Sequence, residues 1–289
     1  MKKISLAFTL LITVSLHGQF YYKDIIGSKE TSQKMKAFAA AGVQSVTATG
    51  YDPRGAKTTD FNEWQDVQAN GTILKITTRS GQIAGRIYHT FDSQARLIMT
   101  RDSSAGIQNI TQYGYDTKDK LLSAKTTVQD DGKEFNETEE HLWQYNTAGK
   151  PEKMWRIVNG TDSTEYRFTL NEQGNVADET LYRRYKDKDT VYYYIYENQR
   201  VYYYYDEQNR LTDIVRYDKK TKQLLPDVIF EYDEQNNIIQ RITTLTTWPP
   251  DYLEWRYLYN EKGLKTKEAL FSKNKDLKGR IEYAYTFKE

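Results

Sequence analysis

The residues with the most to offer chemically lie in 191–205, where eight of fifteen positions are Tyr. Tyr192 and Tyr194 alternate with Tyr193 and Ile195, and Tyr202 and Tyr204 alternate with Tyr203 and Tyr205. A phenol combines a flat apolar face with a hydroxyl handle, the features that sugar-binding and protein-binding surfaces use. Tyr192, Tyr194, Tyr202 and Tyr204 are therefore the candidate binding patch. A structural explanation competes with it. A single-layer sheet with a thin core packs Tyr on both faces for its β propensity.

Other reactive groups are present without an arrangement. Carboxylates cluster at Glu137, Glu139 and Glu140 and at Asp187 and Asp189. A glycosidase needs two carboxylates roughly 5–10 Å apart across a cleft, and no pair is marked here. His89 and His141 lie 52 residues apart, and a zinc site would want a third ligand placed with them. They read as core or edge histidines. The acids Asp52, Asp92, Asp116, Asp206 and Asp233 lack the spacing of a calcium loop. With zero Cys, a disulfide, a thiolate metal site and a Cys nucleophile are excluded. No G-x-S-x-G, phosphate-binding loop or dinucleotide fingerprint occurs. The expectation is no catalytic residue, no metal and no cofactor.

A repeat positions these residues. Tyr51-Asp52-Pro53-Arg54-Gly55 is its first copy, and Tyr205-Asp206-Glu207-Gln208-Asn209-Arg210-Leu211 and Tyr232-Asp233-Glu234-Gln235-Asn236-Asn237-Ile238 are its plainest. Further copies begin at Phe91, Tyr115, Tyr145, Leu170 and Tyr259, at intervals of 24 to 40 residues. The second position is Asp or Asn in all eight copies, a side chain that accepts from backbone two residues on and starts a turn. The fifth is Gly, Asn or Asp in seven, types that tolerate positive φ, and Ala95 is the exception. Each phrase therefore reads as a tight hairpin turn. Before the turns, large residues alternate: Leu253, Trp255, Tyr257 and Tyr259; Tyr166, Phe168 and Leu170; Val201, Tyr203 and Tyr205. Ile281, Tyr283, Tyr285 and Phe287 repeat the spacing at the end. Period two means strand, and the recurring rings read as a cross-strand ladder on the core face.

The strands after the turns carry charge on both faces, as in 176–184. An outer-membrane barrel needs an apolar outward band, where a midplane Arg or Lys costs ~2–4 kcal/mol. This pattern argues against one.

Residues 1–18 read as a secretory signal, with Lys2 and Lys3 before a 13-residue uncharged stretch, 4–16. That stretch is too short to span a bilayer. Cleavage is placed near Gly18, ahead of Gln19. The mature chain then has 39 basic and 40 acidic residues. This balance argues against nucleic-acid binding. The mature protein is expected to be periplasmic or extracellular, without membrane insertion.

The phrase Tyr-Asp-x-x-Gly/Asn-Arg/Asn-Leu/Ile, at 205–211 and 232–238, resembles the YD repeat of the Rhs and teneurin families. The resemblance covers about residues 45–289. It implies an array of antiparallel β-hairpins, and some such repeats are credited with carbohydrate binding. Eight copies rather than dozens, and no self-cleaving motif near the end, set this chain apart from the encapsulating members. It is more similar to short secreted YD-repeat proteins of Bacteroidetes.

Residues 29–41 have no Gly or Pro and are expected to form a short helix ended at Gly42, capping the edge of the first strand. The expected organisation is a signal at 1–18, a helical cap segment at 19–44 and a hairpin-repeat domain at 45–289. The expected fold is all-β, a long antiparallel meander of about sixteen strands in a twisted or curved sheet. The expected function is non-catalytic: a surface scaffold or binding module for a glycan or protein at the cell envelope. The alternatives are a carbohydrate-active hydrolase using loop carboxylates and a structural subunit of a secretion or toxin assembly.

Overall fold

The computed structural model describes residues 20–288 apart from 82, 105, 131, 133–134, 188–189, 197–198, 219–220, 246 and 248–250, and omits the side chains of 60, 184–187 and 190–193. The signal segment 1–18 lies outside the described residues. Among the described residues one α-helix, α1 (Lys23–Ala41), precedes nineteen strands. They are β1 (Val43–Tyr51), β2 (Lys57–Gln68), β3 (Ile73–Ser80), β4 (Ile83–Phe91), β5 (Leu97–Ser104), β6 (Ile107–Tyr115) and β7 (Leu121–Asp130). Next come β8 (Asn136–Tyr145), β9 (Pro151–Val158), β10 (Asp162–Leu170), β11 (Val176–Asp187), β12 (Thr190–Ile195) and β13 (Val201–Tyr205). The rest are β14 (Leu211–Asp218), β15 (Gln223–Tyr232), β16 (Ile238–Leu245), β17 (Asp251–Tyr259), β18 (Lys265–Ser272) and β19 (Leu277–Phe287).

All pairings are antiparallel and, apart from β1–β19 and β11–β13, join neighbours in sequence, as the hairpin repeat predicts, but the sheet does not end. β19 pairs with β1, setting Val46 opposite Tyr285 and Ala48 opposite Tyr283. The meander is thus a closed barrel. β12 and β13 both pair with β11 and share one place in the ring, so the nineteen strands fill eighteen positions. Closure removes both sheet edges and with them the unpaired backbone groups that an open meander would expose. The expected count of about sixteen strands falls short for three reasons. The long first interval, 51 to 91, holds one extra strand, β3, the interval from 170 to 205 holds another, β12, and β19 follows the last phrase.

The turn phrase does what its residues predict. In the second copy the Asp92 carboxylate accepts from the Gln94 and Arg96 N–H groups, both at 2.9 Å. Asp116, Asp206, Asp233 and Asn260 make the same pair of bonds. The fifth position has positive φ in all eight copies, Ala95 included at 57°. Strand alternation places seven of these turns on one rim and the first, 52–56, on the opposite rim. A ninth turn of the same form, with Lys275 at φ 65°, joins β18 to β19.

The Tyr that opens the phrase has a second task. The Tyr115 hydroxyl donates to the Leu97 carbonyl, Tyr145 to Leu121, Tyr205 to Val176, Tyr232 to Leu211, Tyr259 to Ile238 and Tyr285 to Lys265. Each acceptor is the first strand residue after a preceding turn of the same rim. Each bond is worth ~1 kcal/mol net, and together they tie most hairpins to the one before, the copies that open with Phe91 and Leu170 having no hydroxyl to give. Arg96 and Arg210 add a clamp. Each donates to the Asp of its own turn at 2.7 Å and lies over the Tyr ring of the next copy.

The ladder faces inward, as expected. Trp143, Phe168, Tyr203, Ile214 and Val228 are buried in one cluster, and Leu74, Phe91, Leu97 and Leu264 in another. The helix departs from expectation. It starts six residues earlier than predicted, and it lies within the ring rather than over an edge, because closure leaves no edge to cap. Ser28, Ser32, Met35 and Phe38 form its buried face. Met35 and Phe38 join the second cluster, and the Ser32 hydroxyl accepts from the Leu97 N–H at 3.0 Å. Its last turn closes as predicted on Gly42, at φ 70°.

The outer face carries charge at mid-strand. Lys125 stands directly opposite Glu140, Lys267 pairs with Glu282 at 3.5 Å, and Arg167 lies over the Tyr182 ring at 4.2 Å. At these positions charge interrupts an apolar belt of membrane-barrel type. No helix among the described residues is long and apolar enough to cross a membrane.

Candidate functional site

The Tyr-rich segment does not form one patch. On β13, Val201 stands opposite inward Glu179, which turns Tyr203 and Tyr205 in and Tyr202 and Tyr204 out. On β12, Tyr194 stands opposite Arg183, which has the inward parity of Leu181. Tyr194 and Tyr202 are eight residues apart, so an unbroken strand would put them on one face. The strand is broken between them. Tyr182 pairs with Ile195 and Glu179 with Val201, so three steps on β11 face six on the other side. The odd excess flips the alternation. Tyr194 is 57% exposed, but on the other face from Tyr202 and Tyr204. Tyr192 has Tyr185 as its backbone partner, and its side chain lies outside the described residues.

The outward pair has a polar floor beside it. Tyr202 stands directly opposite Asp178, and Tyr204 opposite Asp213. The Asp178 carboxylate accepts from the Thr169 hydroxyl at 2.5 Å and from the Thr180 hydroxyl at 3.1 Å. The Arg200 Nε donates to the Thr180 hydroxyl at 2.9 Å, and its guanidinium lies 6.0 Å from the Tyr202 ring centre. Thr169, Asp178 and Thr180 lie on β10 and β11, held in register by the ladder beneath, and Arg200 immediately precedes β13. Between them runs a shallow groove lined by Asn171, Ala177, Asp178 and the run Tyr202, Tyr203, Tyr204 and Tyr205. Tyr204 is 47% exposed. The arrangement offers ring faces for C–H-rich apolar surfaces and ordered oxygen and guanidinium groups for hydroxyls.

The other candidates do not converge. Glu137 and Glu139 have inward register while Glu140 points out against Lys125. Glu139 is held between His141 and Arg156, whose hydrogen bonds keep its carboxyl down near about 2. Such an acid stays ionised and donates no proton at neutral pH. Asp187 lacks a described side chain and Asp189 lies outside the described residues. His89 takes its ladder place, 3.0 Å from the Thr100 hydroxyl, and burial pushes it down to about 4. His141 lies in a separate cluster. Among the described residues no three His, Asp or Glu groups gather as metal ligands.

Two buried polar centres were not visible in the sequence. Glu179, 2% exposed, accepts from the Tyr21 and Tyr22 N–H groups and the Tyr203 hydroxyl at 2.8–3.0 Å. Burial pushes its carboxyl up to about 7 against these three donors. It faces the N-terminus of α1, which has no side-chain cap of its own. The second centre is His141 with Asp24, Glu139 and Arg156. Glu179 between Ala177 and Leu181, its period-two neighbours, was the signal available.

No protein family matches the chain, and no curated protein sequence matches it. Solved structures similar to it include a TcdB2–TccC3–Cdc42 assembly, at 12% identity over 81% of this chain, with a TM-score of 0.31. The chain spans about 15% of the length of that match. A porin-like protein from Bacteroides uniformis is 10% identical, covering 84% of this chain and 98% of its own, with a TM-score of 0.39. Another from Bacteroides vulgatus has a TM-score of 0.30 at the same identity. All three scores lie below 0.5, and no activity passes from these proteins to this one.

Proposed function

We propose that this is an exported, non-catalytic barrel that works in water through its outer surface, binding a glycan at the cell envelope in the Tyr202–Tyr204 groove. The observation that supports the reading most is the pairing of outward Tyr202 and Tyr204 with the ordered Asp178, Thr180 and Arg200 network. A pyranose ring shows one C–H-rich face and a rim of hydroxyls, and the groove offers a partner for each. The charged exterior favours an aqueous setting, and the export signal at 1–18 favours the envelope or beyond. Resemblance to the YD repeat points the same way, since a recurring turn phrase that builds walls leaves binding to the wall surface. The lumen is less suited to ligands, because α1 and the ladder occupy it.

The test is a glycan array and cell-wall pull-down with the chain starting at Gln19. Retention on a defined glycan, lost in Tyr202→Ser/Tyr204→Ser while the fold is kept, supports the reading. Retention unchanged by that double substitution removes the groove from the account. A protein partner found by crosslinking in the native envelope would replace the glycan.

A further inference from the structure

Beside the bonds from Tyr21 and Tyr22 to Glu179, a second contact holds the start of α1 inside the barrel, and it is built from groups that require a proton. His141, on β8, is 11% exposed in its side chain and has a carboxylate on each ring nitrogen. Its Nδ1 lies 2.6 Å from Asp24 in the first turn of α1, and its Nε2 lies 2.9 Å from Glu139. A neutral imidazole has one N–H and one lone pair, so it can serve only one of two acceptors. The imidazolium has two N–H groups and serves both. Two flanking carboxylates therefore specify the charged form.

The surroundings of the ring are fully assigned. From α1 comes Asp24, and from the segment before it Tyr21, whose ring meets the imidazole edge-on at 5.0 Å. From β8 comes Glu139, from β9 Arg156, which pairs with Glu139, and from β10 Tyr166, 4.3 Å from the Tyr21 ring. Tyr113 of β6 senses the Asp24 charge. Ala124 of β7 stands opposite His141 and brings no charge. Asp24 thus has His141 as its cationic partner, and Arg156 is already committed to Glu139.

We propose that the Asp24–His141–Glu139 bridge is a proton-operated latch, which keeps the N-terminal half of α1 docked in the barrel and frees it when His141 loses its proton. On deprotonation one carboxylate faces a lone pair in a site with little water. Asp24, on the end of a helix, is the partner able to move. Leu97, Leu264 and Tyr285 hold the other end of α1 through Met35 and Phe38, so release begins at the first turn. Burial works against the charge on His141, but the two carboxylates outweigh it and raise the group to about 9. The sign is unambiguous. A folded-state value above the free 6.5 means docking is complete below pH 6.5 and lost as pH rises through 9.

Two readouts test this on the full mature chain. With 13C-labelled histidine, the two mature-chain histidines give two signals, and His141 is expected to titrate near pH 9. Hydrogen exchange, corrected for intrinsic rates, is expected to show amides 24–32 losing protection with the same midpoint while the amides of β7 and β9 keep theirs. In His141→Gln, protection of 24–32 is expected to be lower at pH 6 and flat to pH 10. Should that variant not fold, Asp24→Asn serves instead and is expected to lower the midpoint by roughly 1 pH unit or more. The latch is overturned if His141 titrates near 6.5, if α1 opens only together with the strands, or if either variant keeps the wild-type midpoint.

Discussion

Ala95 is the one residue in the eight turn phrases whose type conflicts with its conformation, and replacing it by Gly should stabilise the barrel. Its φ is 57°, while the same position holds Gly at 149, 174 and 263 with φ of 75°, 76° and 69°. An L-residue with a Cβ loses ~1–2 kcal/mol in this region. Glycine gives back ~0.4–1 kcal/mol because its unfolded chain is freer. The net gain for Ala95→Gly is then about 0.5–1 kcal/mol, near the low end of both ranges. In a domain of this size that is a rise of about 1–3 °C in Tm. Gly263→Ala is the mirror experiment. A Cβ built there meets nothing within 4 Å, so the backbone term acts alone and stability should fall by a similar amount. The assay is urea unfolding followed by Trp fluorescence, with the m-value checked for constancy. A loss of stability in Ala95→Gly, or no loss in Gly263→Ala, would refute the argument that the fifth position is set by backbone conformation.

The remaining predictions address the ladder, the buried acid and the seam. Tyr232→Phe and Tyr259→Phe each remove one hydroxyl bond to a carbonyl of the preceding hairpin. Each should cost ~1 kcal/mol in urea unfolding without altering the circular-dichroism spectrum. Glu179 has a folded-state value near 7, above its free value of 4.5. Its contribution is therefore full below pH 4.5 and lost as pH rises through 7. Glu179→Gln should flatten that part of the stability–pH profile, and a wild-type slope left intact would remove Glu179 as its source. Ending the chain at residue 276 removes β19, and with it the partner of both β1 and β18. Two unpaired edges should then drive association at micromolar concentration, measured by sedimentation.

Much of the wall was legible because it is local. The Asp-to-Gly/Asn phrase fixes a turn through bonds spanning two and four residues, and the alternation before it fixes which side chains face in. Closure was not legible. Val46 and Tyr285 are 239 residues apart, and nothing in either strand's own pattern says that they pair. The charge on both faces, which argued against a membrane barrel, remains on the exterior of a closed barrel. The expectation of a helix over an exposed strand edge implied an open sheet, and the pairing of β19 with β1 corrects it. The helix was found at its C-terminal end, where Gly42 gives a local signal. Its start was missed because the anchor is distant: Glu179, a residue 156 positions beyond Lys23, accepts from the N–H groups of Tyr21 and Tyr22 just ahead of the helix. The four-Tyr patch failed through counting. Register on β11 shows three excess residues between Ile195 and Val201, and an odd excess exchanges the two faces.

The most direct test of the proposed role compares three proteins on the envelope glycan that retains the wild type. These are the wild type, Tyr202→Ser/Tyr204→Ser, and Tyr194→Ser, the last altering an exposed ring on the opposite face. The account predicts that binding falls at least tenfold in the double variant and is unchanged in Tyr194→Ser. Equal binding by all three, or loss confined to Tyr194→Ser, would contradict it.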